Sequence, residues 1–308
     1  MTALAWGRLL RLSLAPTAAA DVVAGLVAGG GGRIPPALDA ALLVASSLAV
    51  YHGGLVLNDW ADRAEDAKVR PDRPIPSGAV SARAALLSAL ALFAVAIALA
   101  SCVSWRAGTW VLGIALLASA YDLAGRGPWV GPLLLGGCRA ANLGLGLYYG
   151  ATLAGEPLGV APPNAPWLLA SYGLYVVSAS RVARLEDQDP RSLVGRGPKR
   201  ALVAGSFLLL APSLLPARAL GLSAPDLASL VLGVAGGYGM LRMALERRPW
   251  AAADCGRAAG AMLRRLLVFT ASLAVAARSD SPDGWIAAGA ILAGFAASAG
   301  LRRVFPPT

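Results

Sequence analysis

Apolar runs long enough to cross a bilayer, about 20 residues each, recur along the whole chain and are parted by short segments of Gly, Pro and charge. Ten are legible: Leu10 to Gly29, Leu38 to Leu57, Ala82 to Ser101, Ala107 to Tyr121, Trp129 to Leu153, Trp167 to Ala183, Ala201 to Leu215, Ala224 to Met243, Ala259 to Ala277 and Gly284 to Leu301. Each predicts a spanning helix, and together they predict an all-α polytopic membrane protein. The first run, with Arg8 and Arg11 ahead of it and Ala18 to Ala20 inside, is similar to a cleavable signal peptide. Nine further runs downstream favour a retained first helix.

Composition agrees with this pattern. Hydrophobic residues make up 57% of the 308 positions and charged residues only 14%, with a mean hydropathy of +0.62, which excludes both a water-soluble globule and a disordered chain. The net charge of +10 fits either nucleic acid or a bilayer surface, and the placement of the cations decides between them. With the N-terminus inside, the outer loops hold only Arg33, Arg106, Arg218 and Arg278, and Arg139 lies within the fifth run. The remaining 22 of the 27 Lys and Arg residues fall on the inner side, as the positive-inside rule expects of a multi-pass cell-membrane protein with both termini cytoplasmic. Nucleic acid is therefore not the partner; membrane lipid is. The Arg to Lys ratio of 25 to 2, with abundant Ala and Gly, suggests a GC-rich bacterial source.

Several patterns have plain readings. Cys102, Cys138 and Cys255 are odd in number and widely spaced, so neither a disulfide framework nor a zinc spacing is present. The one histidine, His52, reads as a helix-packing residue. Gly29 to Gly32 follow no strand and form no nucleotide loop. Gly144, Gly146, Gly233 and Gly237 read as close helix contacts. Asp21, Arg139 and Asn142 sit at membrane depth and should face the interior, either bonding helix to helix or touching substrate.

Chemistry concentrates in two loops on the inner side. The first reads NDWADRAED from Asn58 to Asp66, then AKVRPDRPIPSG to Gly78. On a helix, Asn58, Asp59, Asp62 and Asp66 share one stripe about 100° wide, with Glu65 at its border. Oxygen ligands crowded in this way suit Mg2+, which binds through one or two carboxylates, waters and substrate phosphates. Arg70 and Arg73 follow at once and can grip phosphate oxygens, while Pro71, Pro74 and Pro76 stop the helix. The second loop, Ser180 to Arg200, sets Glu186, Asp187 and Asp189 among arginines and Lys199.

The run from Asn58 to Gly78 resembles the first motif of the UbiA superfamily of intramembrane prenyltransferases, NDxxDxxxD followed by RPxRPxPSG. The resemblance covers about residues 5 to 278, with Tyr121 opening a connection that contains Arg126, and leaves a tenth, C-terminal span beyond the family's nine. It implies one transmembrane domain over residues 1 to 308, a helical bundle around a cavity, and Mg2+ held against the diphosphate of an isoprenoid donor. By the same resemblance Asn58, Asp62 and Asp66 are metal ligands supported by Asp59, and Glu186, Asp187 and Asp189 are their counterparts in the second motif. Asp62, Asp66 and Asp187 would be catalytic. Arg70, Arg73 and Arg126 would contact diphosphate, and Arg184, Arg191, Lys199 and Asn142 are further candidate substrate contacts.

The second motif departs from the family's DxxDxxxD. Anchoring on Gly195 aligns Arg184, Asp187 and Arg191 with its three acids; anchoring on Gly197 and Lys199 aligns Glu186, Asp189 and Leu193. Neither register keeps all three. Two functions follow: a prenyltransferase joining an isoprenoid to a small, often aromatic, acceptor, or a non-catalytic carrier or exporter of a lipophilic metabolite that keeps the cavity without the full metal chemistry.

Overall fold

The computed structural model describes residues 3–32, 35–125, 127–153, 155, 164–186, 191–214, 223–277 and 282–305. A short helix, α1 (Ala3–Leu9), and a single 3-10 turn at Leu12–Leu14 precede α2 (Ala15–Gly29), α3 (Ala37–Ala61) and the short α4 (Arg63–Val69). There follow α5 (Ala82–Val103), α6 (Trp105–Ala124), α7 (Val130–Leu153), α8 (Ala165–Ala183), α9 (Gly197–Leu208), α10 (Ala224–Ala244), α11 (Ala252–Ala276) and α12 (Asp283–Val304). Two-residue strands β1 (Leu193–Val194) and β2 (Trp250–Ala251) pair antiparallel.

Each of the ten apolar runs therefore carries a helix. Seven helices, among the described residues, are long and apolar enough to cross a membrane: α3, α5, α6, α10, α11, α12, and α2 together with the turn before it. The other three runs differ for identifiable reasons. Polar residues and glycines interrupt α7 and α8, as at Arg139, Asn142 and Arg181. Helix α9 has 12 residues, about 18 Å at 1.5 Å per residue, and is followed by a 3-10 turn at Ala211–Leu214.

Local sequence sets the helix ends. Ser81 and Ser104 cap α5 and α6 by accepting the amides of Ala84 and Ala107, and the Asp226 side chain accepts the Ser223 amide ahead of α10, satisfying donors a helix start leaves orphaned. Large apolar side chains such as Leu87, Leu90, Val95, Leu116 and Ile286 lie exposed, as expected where the solvent is lipid.

The core has two parts. One joins α8 to α12 and the other joins α1, α3, α5 and α6, with α2 and α7 contributing to both. Helices α2 and α7 meet almost backbone to backbone. A Cβ at Gly25 would collide with the Leu143 carbonyl, and one at Gly146 with the Val22 carbonyl. Close approach of this kind holds membrane helices together where no hydrophobic driving force exists between them. Substituting Gly146 with Leu should push α2 from α7 and cost about 1–3 kcal/mol or more, read as a lower melting temperature in detergent; an unchanged melting temperature would refute the contact.

The two ends of the bundle's chain meet. Gly7 packs against the Phe305 ring, and the Ser298 hydroxyl donates to the Ser13 carbonyl at 2.7 Å.

Candidate active site

The acidic stripe lies where α3 gives way to α4. Only Asp62 separates them, and the i to i−4 bonds continue on both sides, Asp62 N–H to the Asn58 carbonyl and Asp66 N–H to the Asp62 carbonyl, each at 2.9 Å. The stripe then divides. Asp59 and Asp66 are buried, Asn58 and Asp62 are half-buried, and Glu65 is exposed.

Asp59 and Asp66 are held by guanidinium groups. After α4 ends at Val69, the proline loop folds back, with the Ser77 amide bonded to the Arg73 carbonyl and the Val80 amide to the Pro74 carbonyl, and Gly78 at φ +76° allows the turn. This buries Arg73, whose Nη1 donates to Asp66 Oδ2 at 2.7 Å and to Asp59 Oδ1 at 3.4 Å. Arg70, more exposed, lies 3.8 Å from Asp66.

A residue absent from both motifs completes the group. Arg11 Nη2 donates to Asp59 Oδ1 at 2.6 Å. Arg11 is the sole non-glycine residue with positive φ among the described residues, at φ 47° and ψ 49°, a conformation that costs about 1–3 kcal/mol unless its surroundings fix it. His52 does so, its Nδ1 standing 2.7 Å from the Leu10 carbonyl. Since a carbonyl only accepts, Nδ1 carries the proton, and His52 is the packing residue the sequence suggests. Replacing Arg11 with Ala removes a charge-assisted bond and should destabilise the fold by about 1.5–3 kcal/mol; a melting curve that does not move would exclude this role.

Asn58 lines an interior cavity, with Asp62 beside it. Asn58 Nδ2 lies 3.3 Å from Asp62 Oδ2, and Asn58 also stands close enough to Asp122, in the last turn of α6, for its amide to act on that carboxylate. Asp122 lies within electrostatic reach of Asp62 and Asp59, and Tyr121 within reach of Asp62 and Arg184.

These groups stand at one end of a cavity of about 250 Å3. Arg11, Asn58, Tyr121 and Asp122 line that end, and the middle is apolar, with Val50, Leu55, Ile114, Leu135, Val176 and Leu266. At the far end are Thr17, Ser47, Arg139 and Asn142. Ser47 is eleven residues before Asn58 on α3, about 16 Å along the axis.

The far end is a closed polar cluster. Arg139 Nη2 donates to the Thr17 carbonyl at 3.0 Å, to Asp21 Oδ1 at 3.1 Å and to the Tyr172 hydroxyl at 3.2 Å. Asn142 donates to Asp21 Oδ2 and to the Ala18 carbonyl, both at 3.1 Å, and accepts from Ser47 at 2.8 Å. Tyr172 donates to Asp21. Asp21, Arg139 and Asn142 thus bond helix to helix, and Arg139 and Asn142 also line the cavity.

The second acidic loop is placed in part. Asp187 and Asp189 lie outside the described residues, as does Arg126. Glu186 is exposed and its carboxylate packs over Gly256 of α11. Arg184 does join the site's neighbourhood, donating to the carbonyls of Gly127 and, at 3.3 Å, Gly125. Arg191 is exposed beside β1. Lys199 Nζ donates to the carbonyls of Glu246 and, at 2.9 Å, Arg248, and stands 5.4 Å from the Trp250 ring. It therefore ties the end of α10 to α9. No three acids or metal-binding side chains, among the described residues, converge closely enough to cage a metal by themselves.

Fold and site together define a multi-pass helical membrane protein with an acid and guanidinium cluster at one end of an interior apolar cavity. A model of the UbiA prenyltransferase family matches residues 14–262, and the chain belongs to that family. It is 41% identical over 128 residues to the digeranylgeranylglyceryl phosphate synthase of Natronomonas pharaonis, covering 41% of this chain and 44% of that one. The synthase of the same name from Methanopyrus kandleri is 32% identical over 186 residues, 60% of this chain and 64% of that one. The chain thus spans less than two thirds of the length of these curated relatives. Both are archaeal, and a bacterial source finds no support in them.

Solved structures share the fold. A UbiA homolog from Aeropyrum pernix K1 in its apo form has a TM-score of 0.65 at 22% identity, covering 85% of this chain and 97% of that one. A UbiA homolog from Archaeoglobus fulgidus, bound to GPP and Mg2+, has a TM-score of 0.60 at 18% identity, covering 96% and 99%.

Proposed function

We propose that the chain is an intramembrane prenyltransferase, moving an isoprenoid group from a prenyl diphosphate to a small acceptor with Mg2+. One observation carries this reading: Asn58 and Asp122, beside Asp62, stand at the end of an apolar cavity that Arg11 also lines, with Arg70 and Arg73 paired to the neighbouring Asp66. A pocket that only bound an apolar ligand would have no use for that charge.

The residues present fit magnesium. The ion needs only one or two protein carboxylates when phosphates and waters complete its shell, and among the described residues the buried Oδ2 atoms of Asp59 and Asp122 have no hydrogen-bond partner. Asn58 and Asp62 would hold it, and the family resemblance adds Asp187 and Asp189 of the second loop as further ligands. When bound, Mg2+ neutralises charge on the departing diphosphate. Arg70 would grip diphosphate oxygens, oriented by Asp66, while Arg73 keeps Asp59 and Asp66 from repelling each other. As the bond between C1 and the diphosphate oxygen breaks, its electron pair leaves with the diphosphate. The acceptor then bonds C1 and gives up a proton. The apolar lining excludes water that would otherwise quench the allylic cation.

Support for the donor comes from the Archaeoglobus homolog's bound GPP and Mg2+. The named relatives point to digeranylgeranylglyceryl phosphate as one product class, and an aromatic acceptor is the other class to try. A cell-membrane location with both termini cytoplasmic accords with residue 7 meeting Phe305, with Arg11 reaching Asp59 at that same end, and with the cation distribution.

The test is turnover. Purified protein in detergent or lipid, given Mg2+, labelled prenyl diphosphates of several lengths and phenolic or glycerol-phosphate acceptors, should release pyrophosphate and form a prenylated product, and EDTA should stop it. Tight donor binding with no product would favour the carrier reading instead.

A further inference from the structure

Asp122 belongs to neither acidic loop. We infer that Asp122 is a magnesium ligand, completing with Asn58 and Asp62 a site that the weakened second motif leaves short of acids; this rests on the prenyltransferase reading.

The residue stands in the last turn of α6, where the family resemblance draws attention only to Tyr121 and Arg126. Its side chain is 5% exposed, lines the cavity and stands close enough to Asn58 to feel its amide, and among the described residues its Oδ2 has no hydrogen-bond partner. Two other carboxylates, Asp62 and Asp59, lie within electrostatic reach, and the guanidinium that also reaches it, Arg11, is bonded to Asp59. A buried carboxylate beside like charges is costly unless a cation joins it. An asparagine or serine would be cheaper there if the role were structural. An open oxygen, a low-dielectric wall and an adjoining amide and carboxylate make half of an octahedral oxygen shell, with diphosphate and water as the remainder.

The second motif leaves room for such a ligand. Its first position in one register is Arg184, whose guanidinium is turned to the carbonyls of Gly125 and Gly127. Those carbonyls belong to the turn that directly follows Asp122. Arg184 therefore fixes the end of α6 and acts as a positioning residue for the carboxylate, so an arginine in an acid's place still serves the metal. Glu186, the first acid of the other register, is exposed over α11.

The experiment uses the full chain in detergent, with Mn2+ as a spectroscopic probe and inorganic pyrophosphate as the phosphate source. Bound Mn2+ is counted by electron paramagnetic resonance for the parent, Asp122→Asn, Asp122→Ser and Asp62→Asn. Both Asp122 variants should weaken Mn2+ binding about tenfold or more, while their melting temperatures in EDTA stay at or above the parent's because a buried charge has been removed. Asp122→Glu should recover part of the affinity. Parent-like Mn2+ binding by both Asp122 variants, alongside its loss in Asp62→Asn, overturns this inference alone. If the parent binds no Mn2+ with pyrophosphate, the metal reading of the whole site falls as well.

Discussion

Asp62→Asn should lower prenyl diphosphate turnover by about 10²–10³, the scale seen when one group that stabilises transition-state charge is removed, and leave the protein folded. Asp62 is half-buried at the junction of α3 and α4, and its backbone, not its carboxylate, carries the bonds that continue the helix. Asparagine keeps the shape and loses the charge. Asp66→Asn offers the useful contrast, because it also removes the nearer of the two carboxylates that hold Arg73, a buried cation 2.7 Å away, and should lower the melting temperature together with the rate. Initial rates with labelled donor and melting curves on both variants separate the two roles. Asp62→Asn working within about threefold of the parent would remove this carboxylate from the chemistry.

A second large effect is expected at the far end of the cavity. Asp21 is fully buried and bonded to Arg139, Asn142 and Tyr172. Asp21→Leu would strand the Arg139 guanidinium among apolar helices, at a cost of about 3–5 kcal/mol. The double variant Asp21→Leu with Arg139→Met should regain much of that loss, since the stranded charge goes with its partner. Reversible unfolding in mixed micelles gives both numbers. If the single variant unfolds with the parent, the pair contributes no stability.

The sequence made the membrane helices legible because burial in lipid demands long apolar runs, and each of the ten runs carries a helix. It also made the first acidic motif legible, because its residues are neighbours along one helix. The continuous stripe on which the four polar residues were placed is divided in space. Arg73 and Arg11 hold Asp59 and Asp66 in buried ion pairs, while Asn58 lines the cavity with Asp62 beside it. Arg11 and Asp122 escaped the sequence reading because their contacts lie 48 and more residues away, and their local pattern marks them only faintly. An unusual Asp one residue after Tyr121, at the inner end of an apolar run, was the one available cue. Lys199, a candidate substrate contact by its place beside the acidic loop, donates to the Glu246 and Arg248 carbonyls at the end of α10. That tertiary pairing, with Trp250 and the β1–β2 ladder beside it, has no signature in the spacing.

The bond from Ser298 to Ser13 spans 285 positions, and it fastens the turn next to Arg11. A ribosome delivering this polypeptide releases the opening segment into the bilayer long before the closing helix exists. Until α12 has been made and docked, the arginine turn lacks this clasp, so the charged chamber takes its finished shape only after that late helix arrives.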